Sequence, residues 1–296
     1  MRYHLIMRTA LIAVAALVLA AGAAGSGPRD HWVETATSID GLTWTRESRK
    51  VLEHASVPAA VVTASGAVRI YYVDASKLPE TTNCADLRGT AARVLGCRIA
   101  GIPTRKALDP SIVRLRDGRY RLYYYAANDD PSAAGSHAVR SAISKDGVRF
   151  RDEGVAFARE GLVDPDVFWT GTQWLMYVFS PGDHDTVVAR SADGRHFTYV
   201  GPLQLPGWGT TAPVQLPDGR LRLYAFSQMG SPNLVASFVS RDGLPGTWAR
   251  ETGVRLQAEG GQLTDPFVVR LRDGTWKMVF KVDPNPGGSG PPPPKP

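Results

Sequence analysis

The chain has 296 residues, a formal charge of +6, 43% hydrophobic residues and two cysteines. That length fits one large all-β domain or two ordinary ones. The charge is mild and no stretch is dense in Lys and Arg, which argues against nucleic acid as a partner.

In chain order, the opening MRYHLIMRTALIAVAALVLAAGAAGSG has two arginines, then an apolar run that ends in small residues. Ala21-Gly22-Ala23 fits the A-x-A rule, so residues 1–23 are expected to be a secretory signal peptide. The apolar run is short for a span of ~20 residues, so no membrane association is expected after cleavage. The protein is then secreted, extracellular or periplasmic, and losing Arg2 and Arg8 lowers its charge from +6 to +4. Cys84 and Cys97, close together in an exported chain, are expected to form a disulfide. At the far end, NPGGSGPPPPKP (285–296) has nothing to bury and reads as a disordered tail.

Between these ends, residues 30–284 repeat with a period of about fifty, a propeller-blade length. The anchors are SVPAAVV at Ser56, LDPSIVR at Leu108, VDPDVFW at Val163, TAPVQLP at Thr211 and TDPFVVR at Thr264. Each leads through a glycine-bearing turn to an aromatic strand: VRIYYVD, YRLYYYA, WLMYVFS, LRLYAFS and WKMVFKV. Their alternation suits strands packed between neighbouring sheets. A third strand then reaches an S-x-D-G turn, at Ser144, Ser191 and Ser240. A fourth copy, SIDGLTW from Ser38, precedes the first anchor, while the last anchor has only two strands after it. The two fragments complete each other. The expected fold is an all-β, five-bladed β-propeller closed by N-terminal strands that complete the last blade and leave no open sheet edge.

Following the strands puts the short Asp-Gly turns on one face and the variable loops on the other, with the Asp-Pro heads. The variable face also receives Asp74, Asn128-Asp129-Asp130, Asp183-His184-Asp185, Ser227-Gln228 and Asp283. The longest insertion, Ser76 to Ala100, is expected to rise from the same rim, its disulfide holding a pocket wall. Because the first strand of each blade is innermost, Asp109, Asp164 and Asp265 should converge at the mouth of the central channel. Asp166, two residues after Asp164, shares its side. Crowded carboxylates repel, and their pKa values should spread apart. The alternative is that Asp before Pro serves the scaffold, by accepting loop hydrogen bonds. Val57 and Ala212 stand at the same position in two blades, so the fold does not require the carboxylate.

The Asp-Pro heads, aromatic second strands and S-x-D-G turns resemble the five-bladed glycosidases: glycoside hydrolase family 43 and the invertase and levansucrase families. The resemblance covers nearly the whole mature chain. It implies carbohydrate as the partner, no organic cofactor, and an Asp, an Asp and a Glu on the first three blades. Those three serve as base or nucleophile, pKa modulator and general acid, on opposite sides of a glycosidic bond. Here the first-blade position is Val57, the second is Asp109, and the third-blade head is Asp164 where the families supply a Glu nearby. Asp265 neighbours the vacant first blade, and Glu53, Glu160 and Glu259 precede first strands.

Asp109, Asp164 and Asp265 are therefore the catalytic candidates, with Asp166, His54, Trp169 and Trp208 as substrate-binding candidates and Tyr72 as a further stacking surface. His54 and His184 are placed to meet a ligand. No metal site is specified, although clustered oxygens leave structural calcium open. The S-x-D-G-x-x-W turns also resemble the Asp-boxes of sialidases, but those have six blades and an arginine cluster. Whether the chain hydrolyses a glycan or only binds one stays open. Val57 and the missing third-blade Glu favour a non-catalytic glycan-binding or scaffold propeller.

Overall fold

Strands that alternate large apolar residues cannot bury both faces alone, and here they do so by stacking sheets around an axis. A computed structural model describes residues 27–102, 106–127, 138–209, 213–228 and 233–285. The leader, the Pro-rich tail, Asn128-Asp129-Asp130 and Ala212 lie outside the described residues. The described strands form five sheets, and no described segment is helical.

Blade one comprises Ala55–Val62, Val68–Asp74, Thr81–Arg88 and Ala91–Val94, from the axis outward. Blade two runs Lys106–Arg114, Tyr120–Ala127, Ala138–Ser144 and Arg149–Ala158, and blade three Val163–Trp169, Trp174–Ser180, Asp185–Ser191 and Thr198–Pro202. In blade four, Leu221–Ser227 and Leu234–Ser240 are flanked by short pieces, Trp208–Gly209 and Val214–Gln215 inside, Ala249–Arg250 and Leu256–Gln257 outside. Blade five takes Gln262–Arg270 and Trp276–Asp283 from the C-terminal end, and Trp32–Ser38 and Thr45–Glu53 from the N-terminal end. The join is a full antiparallel ladder from Trp32 opposite Val282 to Ser38 opposite Trp276. The ring closes as the split repeat required.

One expectation is corrected. The segment from Ser76 to Ala100 is not a loop rising from the rim; it holds the two outer strands of blade one. Arg98–Ala100 then crosses to pair in parallel with the outer strand of blade two. The Cys84–Cys97 disulfide ties the third strand to the chain just after the fourth. This blade lacks an S-x-D-G turn, which hid its outer half in the sequence.

The core lies between blades, and each apolar cluster joins neighbouring sheets. A polar stitch repeats at these junctions. Tyr71, Tyr123, Tyr177 and Tyr224 each donate to the carbonyl of an S-x-D-G glycine in the next blade, Gly147, Gly194, Gly243 and Gly41. A Cβ on Gly147 would come within 2.9 Å of the Tyr71 hydroxyl, and φ there is +70°, so only glycine lets the next blade approach. The Ser and Asp of each turn hold the loop rigid: in the first copy, Gly41 N–H donates to Ser38 Oγ, and Leu42 and Thr43 N–H donate to Asp40 Oδ1. At the equivalent place in blade five stands Val279, and blade one has no Asp-Gly turn to receive a hydroxyl. The junction between blades five and one therefore lacks this stitch.

Candidate functional site

The four described heads share an unusual backbone. Val57, Asp109, Asp164 and Asp265 have φ of +45° to +52°, each directly before a proline. At each, the pairing of the innermost strand with its neighbour skips. This is a β-bulge, which re-aims a side chain out of the regular pleat. Proline has no N–H for the skipped rung to orphan. Aspartate tolerates the left-handed conformation, whereas a β-branched valine is strained there. Val57 thus has the backbone of the three aspartate heads without their carboxylate.

The bulges bring Asp164 and Asp265 to one small cleft on the axis, walled also by Val57, Pro58, Asp166 and Phe267. Its volume, about 20 Å³, admits about one water. A ligand larger than a water would therefore sit at the mouth. Burial pushes the Asp109 carboxyl up to about 6; the charge on Asp265 adds to this, while the Asp164 backbone N–H and Lys281 oppose it. Asp164 rises further, first through burial and then through the charges of Asp109, Asp265 and Asp166. Both carboxyls are thus pushed toward their protonated forms, Asp164 the more strongly, the divergence expected of crowded carboxyls.

Lys281 was missed in the sequence. Its Nζ lies 2.7 Å from Asp265 Oδ2, and Thr264 Oγ1 donates to the same oxygen at 3.0 Å. Burial works against the ammonium, but the carboxylates of Asp265, Asp164 and Asp283 outweigh it and raise its pKa. A signal was available: the repeats place Val73, Tyr125, Phe179 and Phe226 at this position, and only blade five has a charge. At the same position in blade two, Tyr125 is raised by burial and by the charge on Asp109.

The other candidates fall elsewhere, apart from Asp166, which is buried beside Asp164 and lines the cleft. His54 is exposed, its Nδ1 2.5 Å from the Arg29 carbonyl oxygen. Trp169 is at the other end of its strand, lining a separate cavity with Arg114, Arg116 and Arg270. The Trp208 ring packs edge-on against Phe238, with Arg250 at 5.2 Å, inside blade four. Glu53 is 64% exposed beside Lys50, Glu259 is 74% exposed beside Arg46, and Glu160 and His184 are also exposed. No glutamate enters the cleft among the described residues. Nor, among them, are three His, Cys, Asp or Glu side chains grouped to hold a metal ion.

No protein-family model and no curated protein matches this chain. Solved structures do. A protein of unknown function from Dyadobacter fermentans is 16% identical, with a TM-score of 0.59 over 84% of this chain and 83% of that one. A thermostable family-43 glycoside hydrolase is 13% identical, with a TM-score of 0.59 over 82% and 96%. An endo-1,4-beta-xylanase from Bacteroides thetaiotaomicron is 14% identical, with a TM-score of 0.59 over 76% and 84%. At such identities the likeness is one of fold: a five-bladed propeller of the kind found in glycoside hydrolases.

Proposed function

We propose that this chain is an exported, carbohydrate-active propeller that cleaves a glycosidic bond with an altered carboxylate set. The supporting observation is that Asp164 and Asp265 line one cleft in unlike surroundings, Asp164 with its carboxyl pushed up by burial and neighbouring charge and Asp265 paired with Lys281. Asp164, its carboxyl pushed toward the protonated form, is the group that donates a proton to the leaving glycosidic oxygen. Asp109 has the modulating role of the second blade, its negative charge helping to keep that proton on Asp164. Asp265, paired with Lys281 and next to the vacant head Val57, is the carboxylate that faces the anomeric carbon or activates water. The leader and the disulfide fit export.

A second reading has its own support. Val57 removes the usual first-blade carboxylate, and the ion pair with Lys281 lowers the nucleophilicity of Asp265. Under that reading the cleft binds a glycan without cleaving it. Aryl arabinosides, xylosides, galactosides and fructans, tested with wild type, Asp164→Asn and Asp265→Asn, separate the two. Turnover lost in both variants supports hydrolysis. No turnover with any substrate, alongside saturable glycan binding, overturns it for the binder.

A further inference from the structure

The unstitched junction between blades five and one holds a groove of about 730 Å³, a volume typical of ligand sites. One wall is the outermost strand of blade five, with Lys50, Leu52 and Glu53; the other is blade one, with Tyr72, Asp74 and Asn83. Tyr72 stands opposite Asn83, and Asp74 opposite Thr81, so these side chains form one polar patch on a single sheet face.

Two observations make this a built site. Tyr72 lines the groove although it is only 2% exposed and its ring belongs to the core. Asp74 is held in place. Its Oδ1 accepts from Ser76 N–H at 2.9 Å and its Oδ2 from Asn83 Nδ2 at 2.8 Å. Asn83 is fixed in turn, because its Oδ1 accepts from the N–H groups of both disulfide cysteines, Cys84 and Cys97. The disulfide thus orients an amide, and the amide orients a carboxylate facing the groove.

We propose that this groove binds an oligosaccharide, taking up sugar units beyond those at the axial carboxylates. The inference rests on the carbohydrate reading above. Sugar hydroxyls both donate and accept, which matches a phenol, a carboxylate and the ammonium groups of Lys50 and Lys77. An acyl chain would set hydrocarbon against the Asp74 charge and the Tyr72 hydroxyl, and a phosphate would meet the carboxylates of Asp74 and Glu53. Position agrees as well. Ala55 pairs with Asp74, so the groove starts one strand, about 5 Å, outward from the strand that carries Val57.

The test is calorimetric titration of the full mature chain carrying Asp164→Asn, to stop turnover. The probes are linear xylo-, arabino- and manno-oligosaccharides of different lengths, disaccharide through hexasaccharide. Affinity should rise with length, and Tyr72→Phe should weaken the hexasaccharide about five- to tenfold, the value of one or two hydrogen bonds. The disaccharide affinity and the thermal midpoint should not change. Asp74→Asn, which keeps the shape, should act in the same direction. No binding across the series, or hexasaccharide affinity untouched by both variants, overturns the groove. Aryl-glycoside turnover, measured separately with Asp164 intact, reports on the axial reading: length-dependent binding without turnover would remove the hydrolase and leave the groove.

Discussion

The Lys281 ammonium lies 2.7 Å from Asp265 Oδ2, and the two side chains are only 17% and 14% exposed. It is the cation that sits among the axial carboxylates, and it opposes the rise of both Asp109 and Asp164. Removing one member of such a buried pair leaves the other uncompensated, while removing both does not. Lys281→Met should therefore cost about 3 kcal/mol at neutral pH, and the double variant Lys281→Met/Asp265→Leu far less than the sum of its single changes. Urea unfolding of the four proteins in the cycle measures this. Simple additivity would remove the pair from the account of the site.

Asp109 gives a pH signature of opposite sign to that of an ordinary stabilising carboxylate. Its folded pKa, raised to about 6, exceeds the unfolded value, so between those limits the folded state binds more protons. Stability from this group is present below the unfolded pKa and is lost as pH rises to about 6. Asp109→Asn should then be more stable than wild type at pH 7.5, by about 3 kcal/mol, with the two converging below about pH 4. Chemical denaturation at several pH values decides it. A scaffold aspartate would give the reverse, because Asn would lose stability at neutral pH.

The sequence made the ring legible because its repeats are read by spacing, and the split blade announced its own closure. Blade one was misread because Ser76 to Ala100 has no Asp-Gly turn to mark its third and fourth strands. At the site, Asp109, Asp164 and Asp265 could be placed by the Asp-Pro heads alone. The sequence did not reveal which way each strand end points. Trp169 follows Asp164 by five residues yet opens at the other end of the channel, and His54 is turned out by its own left-handed backbone. Lys281 is distant in sequence from every head except Asp265, and only strand pairing brings it in: Thr264 stands opposite it.

The tyrosine stitches should differ in worth according to what else reaches the acceptor. Gly194 O takes Tyr123 Oη at 2.5 Å and also Arg121 Nη1 at 3.3 Å. Gly243 O takes Tyr177 Oη at 2.5 Å, and no other donor reaches it among the described residues. Tyr177→Phe leaves a buried carbonyl unsatisfied, at about 1–3 kcal/mol, while Tyr123→Phe should cost about 1 kcal/mol or less. Thermal unfolding of the two variants compares them, and equal losses would mean that the arginine does not substitute.

Val57 allows strain and charge to be separated. A valine at φ +45° is in the left-handed region, which costs an L-residue roughly 1–2 kcal/mol and which Asn occupies more readily. Val57→Asn should therefore stabilise the fold by about 1 kcal/mol. Val57→Asp has nearly the same shape and backbone preference, but it adds a carboxylate to a cleft that already holds Asp164 and Asp265. It should forfeit that gain at pH 7.5 and recover it on acidification, as the crowded carboxyls take up protons. Denaturation of both variants at pH 5 and 7.5 gives the comparison. If Val57→Asp matches Val57→Asn at both values, the head does not face the other carboxylates, and the vacancy at blade one has no bearing on Asp265.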